Sequence, residues 1–220
     1  MKRELLIEAI GSEARIAVLE DDAVVDLIVE RATGESLVGN IYLGRVQRVV
    51  DGIGAAFVDI GLNRAGFLPL RDAAHVVEGE AIRVQVTRDA FGEKGPQISL
   101  NPTLPGRLLV YAPTGGRMAV SRQIEEEGER DRLLSIIEEL AADDEGFIVR
   151  TVAEGATETM MAEEAQNLRD AWENVIVLQS GADAPAILYE DIDLLQKALR
   201  DHAQEDVSAI YFDDAGALSD

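Results

Sequence analysis

The chain has 220 residues, 47% hydrophobic and 5% aromatic, and its 42 acidic against 20 basic side chains give a formal charge of −22. The apolar content suffices for a packed core and excludes wholesale disorder, the length accommodates one or two domains, and the lack of cysteine removes disulfides, Cys-ligated zinc and iron–sulfur sites. No apolar run approaches the roughly 18 residues of a membrane span, and the N-terminal stretch is interrupted by Glu8 and offers no small-residue cleavage site, so a cytoplasmic protein is expected.

Residues 4–10, 15–20 and 24–30 are rich in Ile, Val and Leu and are separated by Gly11-Ser12 and Asp21-Asp22, which predicts a three-strand antiparallel meander. Further strands are predicted over 41–50, 55–60, 66–70, 81–88 and 97–100. Five short strands within about sixty residues predict a small closed barrel. Asn101-Pro102 and Pro105-Gly106 then mark a boundary, followed by an apolar run over 108–112. A helix is predicted over 126–140, with Leu133, Ile137 and Leu140 on one face, then a strand over 147–152. A longer helix over 158–178 carries Met161, Ala165, Leu168, Trp172 and Val175 as one stripe. The tail reads as a strand over 186–189, a helix over 193–202 and a strand over 208–212.

The negative charge argues against nucleic acid only when taken as a total, because polyanion binding is driven by local Lys and Arg. Residues 1–110 carry 12 basic and 16 acidic side chains, whereas residues 111–220 carry 8 and 26. Over residues 36–107 the count is 8 basic and 7 acidic. The acidity is therefore a property of the second half, and a binding surface is to be sought elsewhere in the chain.

Strand alternation puts Ala56, Val58 and Ile60 on one side of their strand and Phe57 on the other, and it separates Phe67 from Leu68 and Leu70. With the aliphatic residues filling the barrel, Phe57 and Phe67 point outward. Two readings are open at this point: a stacking platform for bases, or a face packed against another part of the chain. Lys94, in the turn Gly92-Glu93-Lys94-Gly95, is placed to meet a phosphate or simply water.

The runs Asn40-Ile41-Tyr42-Leu43-Gly44-Arg45-Val46, Ala55-Ala56-Phe57-Val58-Asp59-Ile60-Gly61 and Gly66-Phe67-Leu68-Pro69-Leu70 resemble the ribosomal-S1 type of OB fold, in the version found in the ribonuclease E/G family. Lys94-Gly95-Pro96, Leu104-Pro105-Gly106-Arg107-Leu108-Leu109-Val110-Tyr111, Ser121-Arg122 and Ile148-Val149-Arg150-Thr151 follow in the family's order. The resemblance covers most of residues 1–155. It implies an α+β chain in which residues 1–35 and 183–220 form an RNase H-like subdomain, incomplete at its return. Into it are inserted an S1-type OB barrel, residues 36–104, and a 5′-sensor subdomain, residues 105–182.

The resemblance further implies that Phe57, Phe67, Lys94 and Arg122 contact single-stranded RNA. It implies that Gly106, Val110, Arg150 and Thr151 hold a 5′-monophosphate. Physical chemistry agrees with that assignment: Arg offers a planar fork for phosphate oxygens, Thr adds one hydroxyl, and Gly106 leaves main chain uncovered by a Cβ. Gln123 stands where arginine is common in the family.

The family hydrolyses phosphodiesters with magnesium held by two aspartates of a DNase I-like subdomain. The expectation is that this subdomain, with its magnesium, lies outside the chain, that the chain itself holds no catalytic residue or cofactor, and that the chain is inactive alone. Asp213-Asp214 reads as a solvated turn, His202 as a packing residue with Leu195 and Leu199, and His75 as without a nucleophile partner. Without cysteine, the zinc link that joins subunits in many relatives is not expected; a protein partner or a homo-oligomer is left open. The implied function is the RNA-binding, 5′-monophosphate-sensing region of an endoribonuclease of RNA processing and decay, possessed by a fragment or a truncated frame. Alternatives are a stand-alone, non-catalytic RNA-binding or regulatory protein, and a structural module that binds no RNA.

Overall fold

Alternating Ile, Val and Leu make strands of the first half of the chain, and helix periodicity takes over after the Pro-Gly boundary. The computed structural model describes residues 2–10, 13–31, 36–69, 76–192, 196–197, 200 and 207–213. His75, His202 and Asp214 lie outside these residues, as does most of the helix expected over 193–202. The chain divides into two compact units, Met1–Ser36 with Ile192–Asp220, and Leu37–Asp191.

In the first unit, β1 (Arg3–Ile10), β2 (Glu13–Glu20) and β3 (Ala23–Arg31) form the antiparallel meander. Asp21 and Asp22 both take positive φ, 46° and 66°, the pair of left-handed residues that a two-residue hairpin needs to match strand twist. A later strand, β14 (Val207–Phe212), lies parallel to β1 and completes the order β14-β1-β2-β3. Leu5, Ile7, Ile16 and Val18 are buried. Glu4 is also buried, and Lys2 Nζ at 2.9 Å and the Tyr211 hydroxyl at 3.0 Å hold its carboxyl below the ordinary range.

The second unit begins with the barrel. Strands β4 (Ile41–Val50), β5 (Ala55–Asp59), β6 (Gly66–Pro69), β7 (Ala81–Arg88) and β8 (Gln97–Ser99) run in the order β4-β5-β6-β8-β7, and pairing of β4 with β7 closes the cylinder. Val46, Val58, Leu68, Val84, Val86 and Ile98 fill it. At Gly44 a Cβ would sit 2.5 Å from Val58 Cγ1 and 3.0 Å from Asp59 O, so the curl that lets one strand pair on both sides requires glycine there.

After the barrel, β9 (Leu104–Pro105), β10 (Leu109–Ala112), β11 (Met118–Val120) and β12 (Gly146–Val149) make a four-stranded sheet in the order β11-β12-β10-β9. The short β9 and β11 carry no periodic signal and are missed by sequence reading. Helices α1 (Glu127–Leu140) and α2 (Glu158–Gly181) cover this sheet. Of the anticipated stripes, Leu133 and Ile137 on α1 and Met161, Ala165, Leu168 and Val175 on α2 are buried, while Leu140 and Trp172 are half-buried. The Glu126 carboxylate caps α1 by accepting from the Gly128 and Glu129 amides, and Thr157 caps α2.

Strand β13 (Ala186–Tyr189), read from sequence as the start of the returning tail, hydrogen-bonds antiparallel to β4. The first three residues of β4, Ile41 to Leu43, therefore have a neighbouring strand on each edge and are buried on both faces. Tyr42 enters the barrel core, whereas Ile41 and Leu43 join the helix-covered core with Leu104, Leu109, Phe147 and Leu188. A polar joint reinforces this packing: Arg83 of β7 lies 4.3 Å over the Trp172 ring of α2 and donates to the Gln179 side chain. Within the helix-covered layer, Glu145 accepts from the Tyr111 hydroxyl at 2.7 Å and from Arg169, which also donates to Leu140 O. Chiefly through Arg169, the Glu145 carboxyl is held down at about 2.

Candidate nucleic-acid interface

Phe57 on β5 and Phe67 on β6 are directly opposed in the ladder, and alternation turns both rings out of the barrel. Their centroids are 6.0 Å apart with planes at 73°, an edge-to-face pair. Each ring is half-buried, and the Arg48 guanidinium lies 5.4 Å over Phe57.

Beside them, Phe91 and Lys94 exchange two backbone hydrogen bonds, 3.2 and 3.0 Å, across Gly92-Glu93. The tight hairpin lifts Phe91 into solvent, 85% exposed. Phe57, Phe67, Phe91, Arg88 and Lys94 line one open cavity of about 610 Å³, together with Gln97 and the acidic Asp89 and Glu93. Three of the sequence-selected features thus meet in one groove: the two phenylalanines and the turn lysine. Phe91 and Arg88 were passed over because a lone Phe before a Gly-rich turn has no periodicity to flag it.

A second cluster forms where β12 ends. Val149 is the last strand residue, and Arg150 leads into a 3-10 turn over Thr151–Ala153, so both polar side chains leave the rim of the sheet. Arg150 donates to Gly106 O at 2.7 Å, and its own amide donates to Leu108 O at 2.8 Å. Val110 of β10 is half-buried and pairs with Pro105 and Ile148. The Thr151 hydroxyl bonds the Ser121 hydroxyl at 2.8 Å and Gln123 Oε1 at 2.8 Å. Arg122 between them, and Arg107 beside Gly106, are exposed and make no side-chain hydrogen bond or ion pair with any described residue.

The structure brings Gly106, Arg150, Thr151 and the 121–123 loop together, and it supplies a local reason for the glycine. A Cβ on Gly106 would lie 2.3 Å from Glu164 Oε1, the same oxygen that accepts from the Leu108 and Leu109 amides at 2.7 and 2.8 Å. Glu164, on α2, was not singled out from sequence. Its position among the glutamates of an acidic helix resembles that of any solvated residue.

Among the described residues no three His, Asp or Glu side chains are grouped so as to hold a metal ion. Asp213 is exposed, with its amide donating to Ile7 O at 3.1 Å. No helix among the described residues is long and apolar enough to cross a membrane.

The model of the Ribonuclease E/G family matches residues 103–220. Ribonuclease G of Escherichia coli (strain K12) is 36% identical over 234 residues, a match covering 97% of this chain and 48% of the relative. Ribonuclease G of Haemophilus influenzae is 36% identical over 231 residues, covering 96% and 47%. Ribonuclease E of Nostoc sp. (strain PCC 7120) is 38% identical over 216 residues, covering 92% and 31%. The chain spans about half the length of the ribonuclease G relatives it matches.

Proposed function

The chain belongs to the ribonuclease E/G family, and on that premise we propose that its second unit grips single-stranded RNA on the barrel and reads a 5′-monophosphate at the sheet rim. The first unit is assigned to the RNase H-like subdomain. Phosphodiester cleavage, with its magnesium, is assigned to residues outside the 220 of this chain.

The observation that carries the reading is the groove of Phe57, Phe67 and Phe91 beside Lys94 and Arg88. Aromatic faces take any base by stacking, and cations beside them take the phosphates that join successive bases. At the rim, Arg150 with exposed Arg107 and Arg122 offers guanidinium donors to a terminal phosphate dianion, and the Thr151 hydroxyl stands beside Arg150. The overall charge of −22 opposes an approaching polyanion, so binding is weak, depends on these local cations and falls as salt screens them.

Fluorescence anisotropy with a labelled single-stranded RNA tests the groove. Phe57→Ala with Phe67→Ala should weaken binding at least tenfold, from about 1–3 kcal/mol per stacked base. Unchanged affinity with an unchanged circular dichroism spectrum would refute the platform. For the rim, wild type should prefer a 5′-monophosphorylated oligonucleotide over its 5′-hydroxyl twin, and Arg150→Ala should remove that preference.

A further inference from the structure

The hydroxyl proton of Thr151 is already engaged. Gln123 Oε1 can only accept, so Thr151 must donate across their 2.8 Å contact. The Ser121 hydroxyl, 2.8 Å from Thr151 Oγ1, is then the donor to threonine. Ser121 Oγ in turn accepts from the Gln123 amide at 3.3 Å. The three groups form a closed circuit, Gln123 N–H to Ser121, Ser121 O–H to Thr151, and Thr151 O–H back to the Gln123 side chain. Hydrogen bonds in such a chain polarise one another and resist opening.

A phosphate oxygen placed at Thr151 would meet lone pairs, not a proton, while this circuit stands. We infer that Gln123 is a latch on the Thr151 hydroxyl, which must release before threonine can donate to a 5′-phosphate, and that it thereby sets how strongly a 5′-phosphate is preferred over a 5′-hydroxyl. The inference rests on the phosphate reading of the rim. Gln123 is exposed, and its loop is held independently of its side chain: Ile124 is fully buried, and Arg130 donates to Ile124 O at 3.0 Å. Removing the side chain therefore frees the threonine proton without moving the backbone that places Ser121.

The test is the ratio of affinities for 5′-monophosphorylated and 5′-hydroxyl RNA of one sequence, measured by anisotropy on the full chain. Gln123→Ala raises the ratio about threefold to tenfold, the worth of one competing hydrogen bond. Gln123→Glu lowers it, because a carboxylate holds the threonine proton more tightly and repels the phosphate. In a Thr151→Val background both effects vanish. A wild type that discriminates and a Gln123→Ala chain whose ratio is unchanged or lower overturns the latch but leaves the pocket standing. Equal loss of affinity for both RNAs does the same, since it marks Gln123 as an ordinary RNA contact. Indifference to the 5′ group in both proteins overturns the pocket and the latch together. Discrimination that emerges only in Gln123→Ala supports both.

Discussion

Gly106→Ala tests two explanations of one residue against each other. Sequence reading gives Gly106 the task of letting a terminal nucleotide approach bare main chain, whereas the packing gives its missing Cβ to the Glu164 carboxylate. With alanine, the new methyl sits 2.3 Å from Glu164 Oε1 and 3.2 Å from Leu109 O. The carboxylate has to withdraw from the Leu108 and Leu109 amides, and both residues are buried, 6% and 0% exposed. Two hydrogen bonds to a charged acceptor are each worth about 1.5–3 kcal/mol; with partial relaxation of the side chain, a loss of about 2–4 kcal/mol is expected. Urea unfolding followed by circular dichroism measures it. Glu164→Ala should lose a similar amount, and the double variant should lose far less than the two together, because the alanine methyl no longer meets an acid. Strict additivity, or a Gly106→Ala chain of unchanged stability that has lost only its preference for 5′-monophosphorylated RNA, would refute the packing explanation and favour nucleotide approach.

Glu145 links stability to acid: its folded value of about 2 lies below the ordinary carboxylate value of 4.5, so its contribution is complete above about pH 4.5 and disappears as pH falls toward 2. Glu145→Gln should flatten the unfolding midpoint across that window, and an unchanged pH profile would show that Arg169 does not hold the carboxylate in solution. Arg83→Ala removes the contact with Trp172 and Gln179 and should destabilise the chain by about 1–2 kcal/mol. Because Trp172 is the only tryptophan, its fluorescence should respond as well, and unaltered emission and midpoint would mean that the joint is not formed. Phe91→Ala should leave stability unchanged, as expected of a side chain 85% exposed, while weakening single-stranded RNA binding several-fold; equal binding would remove Phe91 from the groove's function.

The barrel was legible because its signal is local. Alternation across 55–60 and 66–70 assigns inward and outward faces without reference to any other segment, and it placed Phe57 and Phe67 outside. Helix stripes on α1 and α2 were equally readable, since i, i+4 and i+7 neighbours lie on one face whatever they pack against. Family membership too was carried by the order of short motifs along the chain.

Tertiary structure decided what depends on partners distant in sequence. Strand β13 found β4 across more than 140 positions, and only that pairing gives β4 two cores to serve. Glu164 is one glutamate among many until its carboxylate lies over the Gly106 Cα and receives two amides from β10 and the residue before it. The proton of Thr151 is free in sequence and engaged in the fold, because Ser121 and Gln123 reach it from a loop some 30 residues away. Periodicity reports the direction a side chain takes from its own strand or helix; what it meets there is set by long-range packing, which a linear pattern does not contain.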